Sequence, residues 1–421
     1  MSRFLIEGGR KLEGDVYVSG MKNSALPILF ATVLVRGTSV LENIPKITDI
    51  TGALLILEKM GASVEWLSPT SLAISTDGLV PGTSDPELVR TMRGSLYLLG
   101  AELGRVGRTR IGAPGGCGFS FRPIDRHIRC FEKMGAIVDA GTAGVDARAE
   151  NGRMHGAEIF FSDNTVGGTV NCMLAAACAD GVTTIHKAAK EPHIIDLQNY
   201  LNLCGADISG AGTDVITVRG VEELHGCTYR ILPDMIEAGT FMVAAAATGG
   251  RVTVRDIVPK HLECIIPQLI EMGVDLEIFP NRITVSSSGE LHPISFVAEP
   301  YPFFPTDMQP QFATLCCLAK GGFSTVTERI FSARFQYTEE LEKMGAKIVL
   351  NGNEAKIFGT GQLFGAVVQS HDLRAGAAMI VAGLAATGKT VVLDEKKCVG
   401  RGYLNFAGKL RSLGANIVEE A

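Results

Sequence analysis

One short pattern recurs six times along this chain, and its period limits what the chain can fold into. Leu57-Glu58-Lys59-Met60-Gly61-Ala62 returns as Phe131-Glu132-Lys133-Met134-Gly135-Ala136 and as Leu201-Asn202-Leu203-Cys204-Gly205-Ala206. It returns again as Leu269-Ile270-Glu271-Met272-Gly273-Val274, Leu341-Glu342-Lys343-Met344-Gly345-Ala346 and Leu410-Arg411-Ser412-Leu413-Gly414-Ala415. The six glycines fall 68 to 74 residues apart. Each follows an apolar run and precedes an alternating one, such as Ala62-Ser63-Val64-Glu65-Trp66. Each therefore reads as the glycine just past a helix end, where positive φ is needed and a strand follows. A second mark lies 23 to 28 residues earlier in each unit: a small-residue run, a glycine, then a β-rich run. Gly37-Thr38-Ser39-Val40-Leu41, Gly181-Val182-Thr183-Thr184-Ile185 and Gly388-Lys389-Thr390-Val391-Val392 are examples. The Ala-rich runs, such as Phe241-Met242-Val243-Ala244-Ala245-Ala246-Ala247, are apolar almost all round and belong in a core.

Each unit thus reads helix, strand, helix, strand and a further strand. A period near 70 residues is too long for a thin solenoid. Six units in 421 residues predict an α/β protein of two domains, three units each, with helices packed inside a wrapping of sheets. The same period removes a false lead. Gly383-Leu384-Ala385-Ala386-Thr387-Gly388-Lys389-Thr390 matches the phosphate-loop pattern, but that motif needs a strand before it and a helix after it. Here the order is inverted, and the equivalent place in other units holds Gly37, Gly107, Gly181, Gly250 and Gly322. Nucleoside-triphosphate binding is not expected there.

The formal net charge is −6, so no overall basic field favours nucleic acid, and an anionic substrate needs a local cluster of cations. Ten cysteines without a CxxC pair, and eight scattered histidines, fit a reducing compartment with neither a disulfide framework nor a metal site. No apolar run has the length to span a bilayer, and the first residues lack a signal-peptide core. The protein is expected to be cytoplasmic, with no membrane or nucleic-acid partner.

Charged and small residues gather at the starts of the buried helices. Lys22-Asn23, Arg93, Thr165-Val166-Gly167, Asp307 and Arg374 all stand at that point of their units. Helix N-termini attract anions, and Lys22 or Arg93 adds a full charge. Read singly, Lys22 is either an anion anchor or a solvated first-turn lysine. Thr165-Val166-Gly167 is either a phosphate cradle or ordinary helix entry, and Asp307 either an N-cap or a base. Ala113-Pro114-Gly115-Gly116-Cys117-Gly118-Phe119-Ser120-Phe121-Arg122-Pro123-Ile124-Asp125 is a glycine-rich turn around one thiol. Cys117 among free N–H groups and near Arg122 is either an activated thiol or a buried cysteine beside a turn.

Ser19-Gly20-Met21-Lys22-Asn23-Ser24-Ala25-Leu26-Pro27, Pro114-Gly115-Gly116-Cys117, Arg122-Pro123-Ile124-Asp125, Pro305-Thr306-Asp307-Met308-Gln309, Asp372-Leu373-Arg374 and Arg401-Gly402-Tyr403 together resemble the UDP-N-acetylglucosamine 1-carboxyvinyltransferases, in order and over essentially the whole chain. The resemblance implies the enolpyruvyl transferase fold, an inside-out α/β barrel in each of two domains. It assigns 21–231 to the nucleotide sugar and 1–20 with 232–421 to catalysis. It implies transfer of the enolpyruvyl group of phosphoenolpyruvate to the 3′-hydroxyl of UDP-N-acetylglucosamine, with release of phosphate and no metal or organic cofactor, by a monomer or weak homo-oligomer. It makes Cys117 the proton donor and Asp307 the base, with Lys22, Arg122 and Arg401 on phosphoenolpyruvate and Arg93 nearby. Asn23 holds the tetrahedral intermediate, and Asp372 and Arg374 shape the closed site. Arg122, Pro123, Ile124, Asp125, Thr165, Val166 and Gly167 take the uridine and diphosphate, and Ile330 and Arg334 complete the substrate set.

Met21, the bulky Gly118-Phe119-Ser120-Phe121, Asp163 and Met235 depart from the family pattern. An acid at 163 beside a diphosphate is repulsive unless it points to solvent. The alternatives are 5-enolpyruvylshikimate-3-phosphate synthase, which has the same architecture and donor but lacks this Cys loop, and a non-catalytic or divergent nucleotide-sugar-binding paralogue. In the family fosfomycin alkylates the loop thiol. Fosfomycin is therefore expected to add one mass equivalent at Cys117 and to spare the other nine cysteines. Peptide mapping checks this, and even labelling of all ten would deny Cys117 a special environment.

Overall fold

A computed structural model describes residues 2–113, 115 and 123–420. The expectations placed on Cys117 and Arg122 fall outside that range. The chain divides into two compact units, Gly20–Leu232 and a second made of Met1–Ser19 with Pro233–Ala421.

Each unit is built on three core helices. In the first they are Lys22–Ala31, Tyr97–Val106 and Val166–Ala176, and the middle one packs on both others. Two glycines one turn apart make that packing close. A Cβ at Gly100 would lie 2.4 Å from the Asn171 carbonyl oxygen, and one at Gly104 2.5 Å from that of Leu174, so only glycine fits. In the second unit the core helices are Met235–Thr248, Gln309–Leu318 and Leu373–Ala385, which pack pairwise on one another. Gln309–Leu318 is buried along its whole length. This matches the all-round apolar pattern, since a helix enclosed by sheets has no wet face.

After each core helix comes a strand, then a second helix that ends on one of the repeated glycines. Gly61, Gly135, Gly205, Gly273, Gly345 and Gly414 all have φ between 83° and 103°, as the helix-end reading requires. The earlier glycines follow the same rule with one exception. Gly37, Gly107, Gly181, Gly322 and Gly388 have positive φ, but in the fourth unit the left-handed residue is Gly249, not Gly250. Gly250 has a different constraint: a Cβ there would meet the Leu12 carbonyl oxygen at 2.1 Å. Gly383 lies inside a helix and Lys389–Leu393 is a strand, so the phosphate-loop match has the inverted order read from the sequence.

Among the described residues the five four-stranded sheets share one plan, with a parallel edge strand followed by two antiparallel pairings, whereas Arg108–Gly112, Gly144–Ala149 and Ala136–Gly141 make antiparallel pairings only. Glu13–Tyr17 runs parallel to Arg251–Arg255, which pairs antiparallel with Arg282–Ser286, and that in turn with Asp275–Phe279. Ser295–Ala298, Phe323–Glu328, Glu354–Phe358 and Lys347–Asn351 repeat the plan. The last unit repeats it with a borrowed strand. Val367–Gln369 and Lys389–Leu393 are followed by Arg3–Glu7 and then Asn416–Glu420. The N-terminal strand thus fills the third place in the sixth repeat's sheet. In the other unit Thr228–Arg230 returns to lie parallel to Thr38–Glu42 of the first repeat. Each unit therefore ends by pairing with its own beginning.

Among the described residues no helix is long and apolar enough to cross a membrane. Phe4 is 2% exposed, within the borrowed strand. Phe4→Ala is expected to cost about 3 kcal/mol, read as a lower urea midpoint. An unchanged midpoint would mean that this strand is not structural.

Candidate active site

In the unit of Pro233–Ala421 each core helix starts on an aspartate. Asp234 Oδ1 accepts the backbone N–H groups of Ile236 (2.8 Å) and Glu237 (3.2 Å). Asp372 Oδ1 accepts those of Arg374 (2.8 Å) and Ala375 (3.1 Å). Asp307 lies in the tight turn Thr306–Met308 that enters Gln309–Leu318. Carboxylates are what the positive end of a helix favours.

Two buried arginines, Arg334 at 2% exposure and Arg374 at 3%, are set among these acids. Arg374 donates from Nε (3.2 Å) and Nη2 (2.9 Å) to Asp307 Oδ2. Arg334 lies 3.6 Å from Asp307 Oδ1 and 3.7 Å from Asp372 Oδ1, and donates to the Thr306 carbonyl at 3.1 Å. Burial opposes the Arg374 charge, but Asp307 outweighs it and the guanidinium is held above its ordinary pKa. Its plane stands 5.5 Å over the Tyr403 ring. Its Nη1 is buried without a hydrogen-bond partner among the described residues, an open donor of the kind an anion fills.

Glu328 organises the approach to Asp307. It is 2% exposed; it accepts the Thr306 hydroxyl at 2.8 Å and the Ile330 and Phe331 N–H groups at 2.7 and 3.2 Å. Arg401 ends the short turn Val399–Arg401. Asp394 fixes that turn by accepting from Cys398 N at 2.7 Å and Val399 N at 3.1 Å.

In the unit of Gly20–Leu232 two of the three core-helix starts carry cations instead. Lys22 opens its helix without a side-chain cap. The helix dipole opposes a cation there, and Asp49 compensates with a carboxylate at 3.3 Å. Asn23 follows, half-buried. Arg93 starts the turn Arg93–Leu96 that runs into the second core helix. Gly94 in that turn packs on Leu26 of the first core helix, where a Cβ would stand 3.2 Å from Leu26 Cδ1.

Thr165 caps the third core helix by accepting from Gly168 N at 3.2 Å. His127 lies beneath that entry, 5% exposed. A Cβ at Gly167 would touch its Cε1 at 2.9 Å, so glycine is needed there. Asn171 fixes the imidazole by donating to Nδ1 at 2.9 Å, and its own Oδ1 accepts from Gly100 N at 2.8 Å. The imidazole Nδ1 is therefore an acceptor and the ring is neutral. Burial first, then Arg93, push its pKa down to about 4. Asp125 begins the helix Asp125–Lys133, preceded by Pro123 and Ile124. Asp163 is 64% exposed and paired with Arg126 at 2.5 Å, so it points to solvent and its charge is compensated.

The structure thus brings Asp307, Ile330, Arg334, Asp372 and Arg374 into one network. Arg93, Asp125, Thr165, Val166 and Gly167 gather around His127, and Lys22 and Asn23 stand at the neighbouring helix start. Asp234, Glu328, His127 and Asp49 were not singled out from the sequence. For Asp234 a signal existed, because the repeat puts it at the fourth core helix start. Glu328 also makes local bonds to Ile330 and Phe331, but its tie to Thr306 and the defining contacts of His127 and Asp49 are distant in sequence.

Residues 6–410 match the family described as EPSP synthase (3-phosphoshikimate 1-carboxyvinyltransferase). A UDP-N-acetylglucosamine 1-carboxyvinyltransferase of Clostridium botulinum is 46% identical over 99% of this chain and 100% of its own length. UDP-N-acetylglucosamine 1-carboxyvinyltransferase 3 of Caldanaerobacter subterraneus is 47% identical over 99% of both. The chain belongs to the UDP-N-acetylglucosamine 1-carboxyvinyltransferases, within the EPSP synthase family. Among solved structures, the enolpyruvyl transferase NikO of Streptomyces tendae is similar, with TM-score 0.90 and 25% identity over 100% of this chain and 99% of that one. An EPSP synthase of Acinetobacter baumannii shares the fold, with TM-score 0.77 and 21% identity over the full length of both chains.

The depressed His127 pKa has a measurable consequence in this family member. The unfolded chain takes up the His127 proton near pH 6.5, while the folded protein resists it down to about 4. Its contribution to stability is complete above 6.5 and is lost as the pH falls from 6.5 towards 4. The loss should be on the order of 2–3 kcal/mol. His127→Gln, which keeps an acceptor for Asn171, is expected to flatten that acid limb. Urea midpoints measured across this range check it, and an unaltered slope would contradict it.

Proposed function

We infer that this chain transfers the enolpyruvyl group of phosphoenolpyruvate to the 3′-hydroxyl of UDP-N-acetylglucosamine, releasing phosphate, at the opening step of peptidoglycan precursor synthesis. The observation that carries this is the near-complete match, at 46% identity, to a relative of that name. The network of Asp307 with two buried arginines supports it chemically.

In this reading Cys117 protonates C3 of the enol, C2 becomes oxocarbenium-like, and the sugar hydroxyl attacks it. Asp307 accepts the hydroxyl proton. Loss of phosphate and of a C3 proton then restores the double bond in the product. The double contact from Arg374 keeps the base aimed, and general base catalysis depends on that aim. Lys22, Arg122 and Arg401 take the phosphate and carboxylate of phosphoenolpyruvate, with Arg93 beside them. A lysine held at a helix N-terminus by one modest ion pair is readily given over to a phosphate. Asn23 holds the tetrahedral intermediate. Pro123, Ile124, Asp125 and the Thr165-Val166-Gly167 entry take the nucleotide, where free N–H groups of a helix start suit a diphosphate. Ile330 and Arg334 complete the sugar side, and Asp372 and Arg374 keep the site in its reactive form. Residues 21–231 then serve the nucleotide sugar and 1–20 with 232–421 the chemistry. The protein acts in the cytoplasm as a monomer or weak homo-oligomer.

Phosphate release from phosphoenolpyruvate is expected to depend on UDP-N-acetylglucosamine. Release with 3-phosphoshikimate instead would assign the sister activity, and release with neither would make the chain a silent binder. Asp307→Asn keeps the side chain's size and is expected to lower turnover by about 10²–10⁴. Unchanged turnover would remove Asp307 as the base.

A further inference from the structure

Two thiols outside the proposed chemistry face each other. Cys204 ends the helix Pro192–Leu203, and Cys227 directly precedes the strand Thr228–Arg230. Their sulfur atoms are 3.4 Å apart. The backbone on both sides is already pinned. His225 N donates to the Cys204 carbonyl at 2.9 Å, and Val40 N donates to the Cys227 carbonyl at 2.8 Å. Cys204 is fully buried while Cys227 is half-buried, so an oxidant reaches Cys227 more readily and Cys204 waits behind it. Among the described residues Cys130 and Cys172 also interact, but they lack this asymmetry, at 1% and 0% exposure.

We propose that Cys204 and Cys227 form a reversible dithiol–disulfide site, closed by a peroxide and reopened by a thiol reductant. The contact between them sets the order of events. The hydrogen bond from Cys204 lowers the Cys227 pKa, and the same contact with burial pushes Cys204 up. The Cys227 thiolate attacks the peroxide, the O–O bond breaks, and a sulfenic acid forms with release of hydroxide. The Cys204 sulfur then displaces the sulfenic hydroxyl, its proton leaving with that oxygen as water, and the S–S bond is made. Overall two thiols are oxidised and one hydrogen peroxide is reduced to two waters. The bridge spans 23 residues and ties the helix end to the strand that runs beside Thr38–Glu42. Transient bridges of this kind are the form disulfides take in a reducing compartment.

The test uses the full chain with hydrogen peroxide, alkylation of free thiols and tryptic mapping without reductant. Cleavage after Lys190, Arg219 and Arg230 puts Cys204 and Cys227 alone on adjacent peptides, 191–219 and 220–230. The expected result is one linked species joining these two peptides, lost on dithiothreitol treatment. In Cys204→Ser the link is absent and Cys227 accumulates as a dimedone-trapped sulfenic acid. If both thiols stay alkylatable in the wild-type protein, or Cys227 passes to sulfinic acid without any linked species, the proposal is overturned. Links scattered among many cysteine pairs would overturn it equally.

Discussion

The positive end of a buried helix has to be matched, and the unit of Pro233–Ala421 is arranged around that requirement. A core helix enclosed by sheets cannot turn its first N–H groups to water. In the unit of Pro233–Ala421 carboxylates stand at all three starts, and Asp234 and Asp372 accept those N–H groups directly. That leaves acids gathered in the interior, and Arg334 and Arg374 balance them. Such a group is stable only as a whole, because removing one member leaves another charge buried and unpaired at a cost of about 3–5 kcal/mol. Asp307 is the most exposed of the four linked side chains, at 31%, so it is anchored from within while one side faces outward.

The unit of Gly20–Leu232 does the opposite at two of its three core-helix starts. Lys22 and Arg93 add positive charge where the helix already supplies it. The helix dipole alone does not favour that choice, and at Lys22 Asp49 stands opposite at 3.3 Å. On the proposed function, positive potential kept at these helix starts suits a multiply charged anion. Asp163 does not undo this potential, since its charge is matched by Arg126 and directed to solvent.

Much of this was legible in the sequence, because a repeat multiplies every weak local signal by six. One glycine after an apolar run says little, whereas six at an even period fix the helix ends, the unit count and the place of the buried helices. Contacts that close at long range were not legible. Arg374 and Asp307 are 67 residues apart, and nothing local in either segment pairs them. His127 shows no pattern of its own and acquires its character from Asn171 and Gly167. The placement of Arg3–Glu7 inside the sixth repeat's sheet is a matter of topology, which alternation along five residues does not carry. The Gly249-Gly250 step slipped by one for a similar reason: the residue in the left-handed turn and the one pressed against Leu12 are neighbours in sequence and equal in type.

The N-terminal strand's place in the last sheet sets an order on biosynthesis. The ribosome makes Arg3–Glu7 long before its two hydrogen-bonding neighbours, Lys389–Leu393 and Asn416–Glu420. The Gly20–Leu232 unit has all its strands once Thr228–Arg230 emerges and can settle while translation continues. Until those two neighbouring strands are made, Arg3–Glu7 has an apolar face and no partner. A chaperone that holds nascent chains would meet a long-lived client surface in Arg3–Glu7.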